Sequence, residues 1–162
     1  MTHAPTYHFT KFGTPLGRFC LAVDPAGAVA ATAFGGRDAL RSRLRGASVI
    51  PNARGTAAAR KQVLAWFRGK RRDFSIRLSP AGTPFQRRVW DALRRIPFGQ
   101  TRSYGEVARM LGSSPRAVGR ANATNPICLI VPCHRVVGSD GSLTGYAFGE
   151  DIKRRLLEFE AL

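Results

Sequence analysis

The sequence predicts a mixed α/β (α+β) protein, in which a small antiparallel sheet with helices precedes a mostly helical half. Three observations predict it. Residues 6–34 alternate short runs rich in aromatic and apolar residues with turns marked by Gly and Asp. Beyond residue 83, apolar side chains recur at three- and four-residue spacing behind capping residues. Between the two patterns, SPAGT (79–83) has the strongest linker composition in the chain, so two domains are expected, 1–82 and 83–162.

The expected strands are TYHFTKF, RFCLAV and AVAATAF, separated by turns at Gly13–Gly17 and Asp24–Gly27. Helical patterns follow at Asp38–Arg45 and Thr56–Arg68, the second with Ala59, Val63, Leu64 and Phe67 on one face, and RDFSIRL returns to strand alternation. In the second half Thr83 and Pro84 open a helix whose Phe85, Val89, Leu93 and Ile96 share a face. Ser103 and Glu106 form a capping box for a helix with Val107, Met110 and Leu111 inward and Gly112 as its stop. Ser114 and Pro115 start the next, which Asn125-Pro126 ends. Two short helices across a Gly/Ser turn read as a helix-turn-helix, a common DNA-binding unit that also occurs in proteins unrelated to DNA. The apolar run ICLIV reads as a strand. It leads into PCHRVVG, a Gly-rich loop, and a last helix from about Glu150 with Ile152, Leu156, Leu157 and Phe159 inward.

The formal net charge of +16 on 162 residues predicts attraction to a polyanion, with nucleic acid as first candidate and a merely solvated Arg-rich surface as the alternative. Residues 1–82 carry 14 basic and 3 acidic side chains and residues 83–162 carry 12 and 7, so charge does not locate a site. No run approaches the ~20 apolar residues of a membrane helix and the N-terminus lacks a signal-peptide pattern, so a cytoplasmic location is expected, nucleoid-associated or, in a eukaryote, nuclear. Cys20, Cys128 and Cys133 fit neither a disulfide framework nor a zinc site, and no metal or other cofactor is expected. His3, His8 and Cys20 read as unconnected residues and Cys128 as a core thiol.

Chemistry concentrates in PCHRV. A thiol reacts as thiolate, so a nucleophilic Cys133 needs a base or a cation beside it. His134 is adjacent, but its ring reaches the sulfur only if the backbone turns sharply, as Pro132 favours, or if a water bridges them. An imidazole base also needs an acid to fix its tautomer, and Glu160 on the last helix is the candidate. By composition alone a structural Cys-His pair stays open.

The stretch NPICLIVPCHRVVGSDGSLTGYAFG closely resembles the active-site signature of the O6-alkylguanine-DNA alkyltransferases, the methylated-DNA-protein-cysteine methyltransferases. The resemblance extends through FQRRVWDALRRIPFGQTRSYGEVA, RAVGRAN and KRRLLEFE, covering nearly all of 83–162. Over 1–82 it is limited to a PLG turn and the strand-helix order. It implies a ribonuclease-H-like N-terminal support and a winged-helix-like C-terminal domain that binds DNA and accepts the alkyl group.

It further implies that Cys133 takes an alkyl group from guanine O6, irreversibly, with O4-methylthymine as a further candidate lesion. His134 would deprotonate Cys133 through a water, Glu160 would orient the imidazole, Asn125 would brace the turn and link it to the recognition helix, and Tyr104 would donate a proton toward guanine N3. Tyr146 would wall the base pocket, and the carbonyls of Cys133 and Val136 would accept from the exocyclic amine. Arg116 would fill the gap left by the flipped nucleotide, and Ala117, Gly119, Arg120 and Ala121 would lie along the minor groove of double-stranded DNA. A monomer is expected.

Two departures stand out. The turn GSSP is two residues shorter than in some relatives, and Ala147-Phe148 replaces a small pair after the pocket tyrosine. Phe148 is expected to narrow the pocket mouth and favour methyl over benzyl. The main alternative is a non-catalytic alkyltransferase-like damage sensor that recruits other repair factors. In those proteins the cysteine is replaced, whereas Cys133 is intact here. A Cys-His-Glu hydrolase lacks an evident oxyanion hole, and a plain DNA-binding module would not need His134 and Glu160. Arg135 has no chemical role in this reading and is expected to hold the loop through backbone carbonyls.

Overall fold

The computed structural model describes residues 5–161, and His3 lies outside them. Two compact units emerge, Met1–Ala81 and Gly82–Leu162. In the first, β1 (Tyr7–Thr14), β2 (Gly17–Val23) and β3 (Val29–Phe34) form antiparallel neighbours, as the alternating runs predict. α1 (Arg37–Arg43) and α2 (Ala57–Phe67) fall where the apolar spacing places them, although Trp66 and not Leu64 is buried on α2. The fourth strand differs from expectation. It is β4 (Val49–Pro51), parallel to β1, giving the order β3-β2-β1-β4. RDFSIRL supplies no regular strand and touches the sheet through one bridge, Leu78 to Val29. Phe19 is fully buried between Phe12 and Phe34, with ring centroids 5.7 and 5.0 Å away, burial worth about 1.5–3 kcal/mol.

The second unit starts with α3 (Pro84–Arg94), capped by a reciprocal Thr83–Gln86 box. A two-residue β5 (Arg102–Ser103) leads into α4 (Tyr104–Leu111), whose cap Ser103 and Glu106 also bond reciprocally. Gly112 ends α4 in the left-handed region (φ 65°), which costs glycine nothing, and Ser114 caps α5 (Pro115–Ala123) through Ala117 N–H. The Trp90 indole N–H donates to Ala121 O at 2.8 Å and fixes α5 against α3. β6 (Val136–Val137) pairs parallel with β5, and α6 (Glu150–Glu160) closes the unit. Among the described residues no helix is long and apolar enough to cross a membrane.

Three expectations fail here for identifiable reasons. ICLIV is not a strand. The backbone reverses at Leu129, whose φ of 72° is unusual for a branched side chain, and Val131 N–H returns to Ile127 O at 2.9 Å. Met110, expected inward, is 61% exposed, because Val107 and Ala108 are the buried residues of α4. On α6 the fully inward positions are Lys153, Leu156 and Glu160, leaving Ile152, Leu157 and Phe159 half-buried.

Candidate active site

The turn that carries the thiol is built by Asn125. Its Nδ2 donates to Val131 O at 3.0 Å and its Oδ1 accepts from Ile127 N–H at 3.0 Å, clamping both ends of the reversal. Residues 133–135 then form one turn of 3-10 helix behind Pro132, so the chain does bend sharply at PCHRV. The thiol is 4% exposed and the imidazole fully buried.

His134 Nε2 lies 2.8 Å from Glu160 Oε2. A carboxylate only accepts, so Nε2 carries the proton and Nδ1 is the basic nitrogen. Burial holds the imidazole below its ordinary pKa, although the Glu160 carboxylate pulls it upward. His134 is therefore neutral at rest and able to take a proton. Burial alone would raise the Glu160 pKa, but hydrogen bonds and charge from His134 and Arg135 bring it down to about 2.

Arg135 has a larger part than expected. One backbone carbonyl, Ile96 O, does receive its Nη1 at 2.7 Å. Its main partner is Glu160, through Nε to Oε1 at 2.8 Å and Nη2 to Oε2 at 2.7 Å. This forked pair fixes the carboxylate that orients the imidazole. Gly99 completes the seat. Its N–H reaches Glu160 Oε1 at 3.4 Å, its φ is 83°, and a Cβ there would stand 3.2 Å from the Glu160 carbonyl.

Tyr104 is the first residue of α4, its ring flanked by Gly119 of α5 and its hydroxyl near Gly145. Burial and the Cys133 charge raise its pKa, with an opposing hydrogen bond from Asn122. Tyr146 is buried, with the half-buried Phe148 ring edge-on to it at 5.9 Å, while Ala147 is exposed. Lys153 enters between the tyrosines. Its side chain is fully buried, its Nζ is 5.8 Å from each ring centroid, and it makes no hydrogen bond among the described residues. Burial lowers its pKa and the charge on Cys133 raises it, so thiolate and ammonium favour each other.

Asn122 lies on α5 and is 3% exposed, with Nδ2 donating to Cys133 O at 3.3 Å. Cys133 O also accepts Val136 N–H within the 3-10 turn. Two donors of the protein thus face the carbonyl that is expected to serve the exocyclic amine. Asn125 also reaches α5, its N–H donating to Asn122 O at 3.3 Å, and Asn122 adds a second link from α5 to the thiol turn. On the outer side of α5, Arg116 and Arg120 are exposed and Ala117 and Gly119 half-buried. Ala121 does not belong with them. It is buried under α3, where its carbonyl accepts from Trp90.

Residues 84–162 match the family model described as 6-O-methylguanine DNA methyltransferase, DNA binding domain. Over 155 residues the chain is 43% identical to a methylated-DNA–protein-cysteine methyltransferase of Methanosarcina acetivorans, which covers 94% of this chain and 97% of that one. The chain belongs to the methylated-DNA–protein-cysteine methyltransferases. A member of this family from Mycolicibacterium paratuberculosis is 52% identical over 111 residues, 67% of each chain. The fold agrees as well. The crystal structure of Mycobacterium tuberculosis OGT in complex with DNA superposes with a TM-score of 0.84 at 39% identity, covering 95% of this chain and 92% of that one.

Sequence reasoning left Lys153 and Asn122 of this methyltransferase unassigned, though each left a trace. Lys153 is the sole lysine of residues 83–162, where the other cations are arginines, and it precedes Leu156 by three residues on the buried stripe. Asn122 follows buried Val118 by one helical turn, a polar side chain on an apolar face.

Proposed function

We infer that this chain repairs DNA by direct reversal, transferring the methyl group of O6-methylguanine to Cys133 in a single turnover. The observation that carries the reading is a buried thiol followed by a neutral, buried imidazole that Glu160 holds at 2.8 Å. The lesion must leave the base stack, because O6 in a stacked pair cannot be approached in line by sulfur. His134 Nδ1 takes the thiol proton, directly or through a water. The thiolate forms a bond to the methyl carbon as the bond from that carbon to O6 breaks. The electron pair passes into guanine, Tyr104 donates a proton at N3 and recovers one from solvent, and His134 releases the thiol proton to solvent, so that guanine leaves neutral. Lys153 favours the anionic sulfur through its charge, and Arg135 keeps Glu160 deprotonated and oriented. The methyl group stays as a thioether, so the protein is consumed.

DNA is the partner, met by the exposed Arg116 and Arg120 with Ala117 and Gly119 between them. Arg116 is the residue proposed to occupy the vacated stack, residues 1–82 act as support, and 83–162 carry DNA binding and transfer. Incubation with duplex DNA containing O6-methylguanine should add one methyl-sized mass to the intact protein, and Cys133→Ala should abolish the gain. Lesion binding without any gain by wild type would favour the sensor.

Phe148, edge-on to Tyr146, supports a narrow pocket mouth. Wild type should transfer methyl faster than benzyl, with Phe148→Gly narrowing that difference in single-turnover assays. Equal discrimination by the two proteins would exclude a role for Phe148.

A further inference from the structure

Gly13 occupies the interior of β1 without a reason inside the protein. Glycine within a strand costs about 0.5–1 kcal/mol relative to alanine, and it is kept where the backbone turns left-handed or where a side chain would collide. Neither applies here. Gly13 has no positive φ, and a Cβ built on it would meet no atom of the described residues within 4 Å. The remaining use of a strand glycine is to let a group from outside come close to the backbone.

The surroundings indicate which group that is. In the β1–β2 register Gly13 lies opposite Arg18 and Lys11 opposite Cys20, so strand alternation puts Lys11, Gly13 and Arg18 on one face of the hairpin. All three are exposed. Burial raises the Cys20 pKa and the charges on Lys11 and Arg18 both pull against it, which gathers the two cations around one point. An open cleft of about 410 Å³ lies here, lined by Lys11, Phe12, Gly13, Thr14, Gly17 and Arg18, with no carboxylate among them. The Thr14 hydroxyl holds the turn at its end, donating to Gly17 O at 2.7 Å and accepting from Leu16 N–H at 3.1 Å. Residues 1–82 as a whole carry 14 basic side chains against 3 acidic ones, and one of those three, Asp24, is engaged by the N–H groups of Ala26 and Ala28.

We propose that this hairpin cleft seats the phosphate backbone of duplex DNA, giving residues 1–82 a hold on DNA of their own besides that of α5. Lys11 and Arg18 meet phosphate oxygens, and Gly13 lets the sugar-phosphate chain come against the strand between them. Such a contact reads no base, which suits a protein whose lesions occur at any sequence. It also releases counterions, so its share of the binding shows in the salt dependence of affinity.

The test uses the full chain and an unmodified duplex, so its outcome is independent of methyl transfer. Gly13→Val keeps the net charge and suits a strand, so its Tm should match or exceed that of wild type, while its Kd weakens several-fold because the side chain fills the approach. Lys11→Gln with Arg18→Gln should weaken Kd roughly tenfold at about 0.1 M salt and lower the slope of log Kd against log salt by about 2. Lys61→Gln with Lys70→Gln removes the same charge from exposed positions outside the cleft and should keep the wild-type slope within about 0.5. DNA binding by Gly13→Val as tight as wild type would overturn the proposal. So would an equal loss of slope in the two double variants, which would make the effect one of general charge. An unchanged slope in the Lys11 and Arg18 variant, the outcome expected if the cleft takes an acidic peptide, would overturn it as well. If Gly13→Val melts below wild type, the two double variants decide.

Discussion

Residues 5–81 close their core over hydrocarbon, with Thr32 and Thr56 as their buried polar side chains, whereas residues 82–161 bury Asn122, Asn125, His134, Arg135, Lys153 and Glu160. The contrast separates stability from chemistry. Burying ions costs several kcal/mol each unless partners replace the lost water, and hydrocarbon of similar volume is often as stable or more so. The first unit follows that rule. The second gives up stability to keep an imidazole neutral, a carboxylate ionised and a thiol near a cation.

The largest expected break in this contrast comes from Glu160→Gln. It leaves Arg135 buried without its anionic partner and His134 without a fixed tautomer. Unfolding free energy should fall by about 3–5 kcal/mol and transfer by roughly 100-fold. Urea melts and single-turnover assays read the two losses, and a variant as stable as wild type would remove the buried cluster from the account.

Acid should weaken the second unit next. Folded His134 and Glu160 both titrate below their ordinary values of 6.5 and 4.5. On acidification the unfolded chain therefore binds more protons than the folded one. Their contribution is complete above about pH 6.5, declines as pH falls through the histidine range, and declines further between about 4.5 and 2. Tm followed against pH should show this fall in wild type, with the carboxylate step missing in Glu160→Gln. Retention of that step in the variant would assign it to other carboxylates.

A smaller and opposite effect is expected from Lys153→Met. Removing an ammonium that has no hydrogen-bond partner among the described residues should leave stability unchanged or raise it by about 1–2 kcal/mol, while transfer slows about tenfold for want of the cation near sulfur. Loss of stability and rate together would make Lys153 a packing residue.

What the sequence made legible was short-range. The Ser103–Glu106 box closes within three residues and stands in the structure as its spacing predicts, and Thr83 caps α3 where expected, with Gln86 as a reciprocal partner that the reading did not include. ICLIV misled because its apolar, β-branched composition favours a strand, while the positive φ at Leu129 is imposed by Asn125, which bonds across six residues to Val131. Arg135 could not be assigned because its chief partner lies 25 residues away, on a helix whose buried face the apolar pattern misplaced. That misplacement and the neglect of Asn122 have one cause. A polar side chain on a helix is assigned to water by default, and only the surrounding packing shows when it is enclosed. β4 escaped notice because three residues ending in proline carry too little pattern to register as a strand.

Because the carboxylate that orients His134 stands 26 residues later in the chain, nucleophilicity at Cys133 is a property of the folded unit and not of PCHRV. A nascent chain exposes this thiol before its base is oriented, and a peptide spanning the motif would behave as an ordinary cysteine. The same dependence holds in the mature protein whenever the last turn of α6 frays. Each fraying event returns the thiol to an inert form, so the fraction of time that turn stays wound sets the fraction of time the molecule is armed.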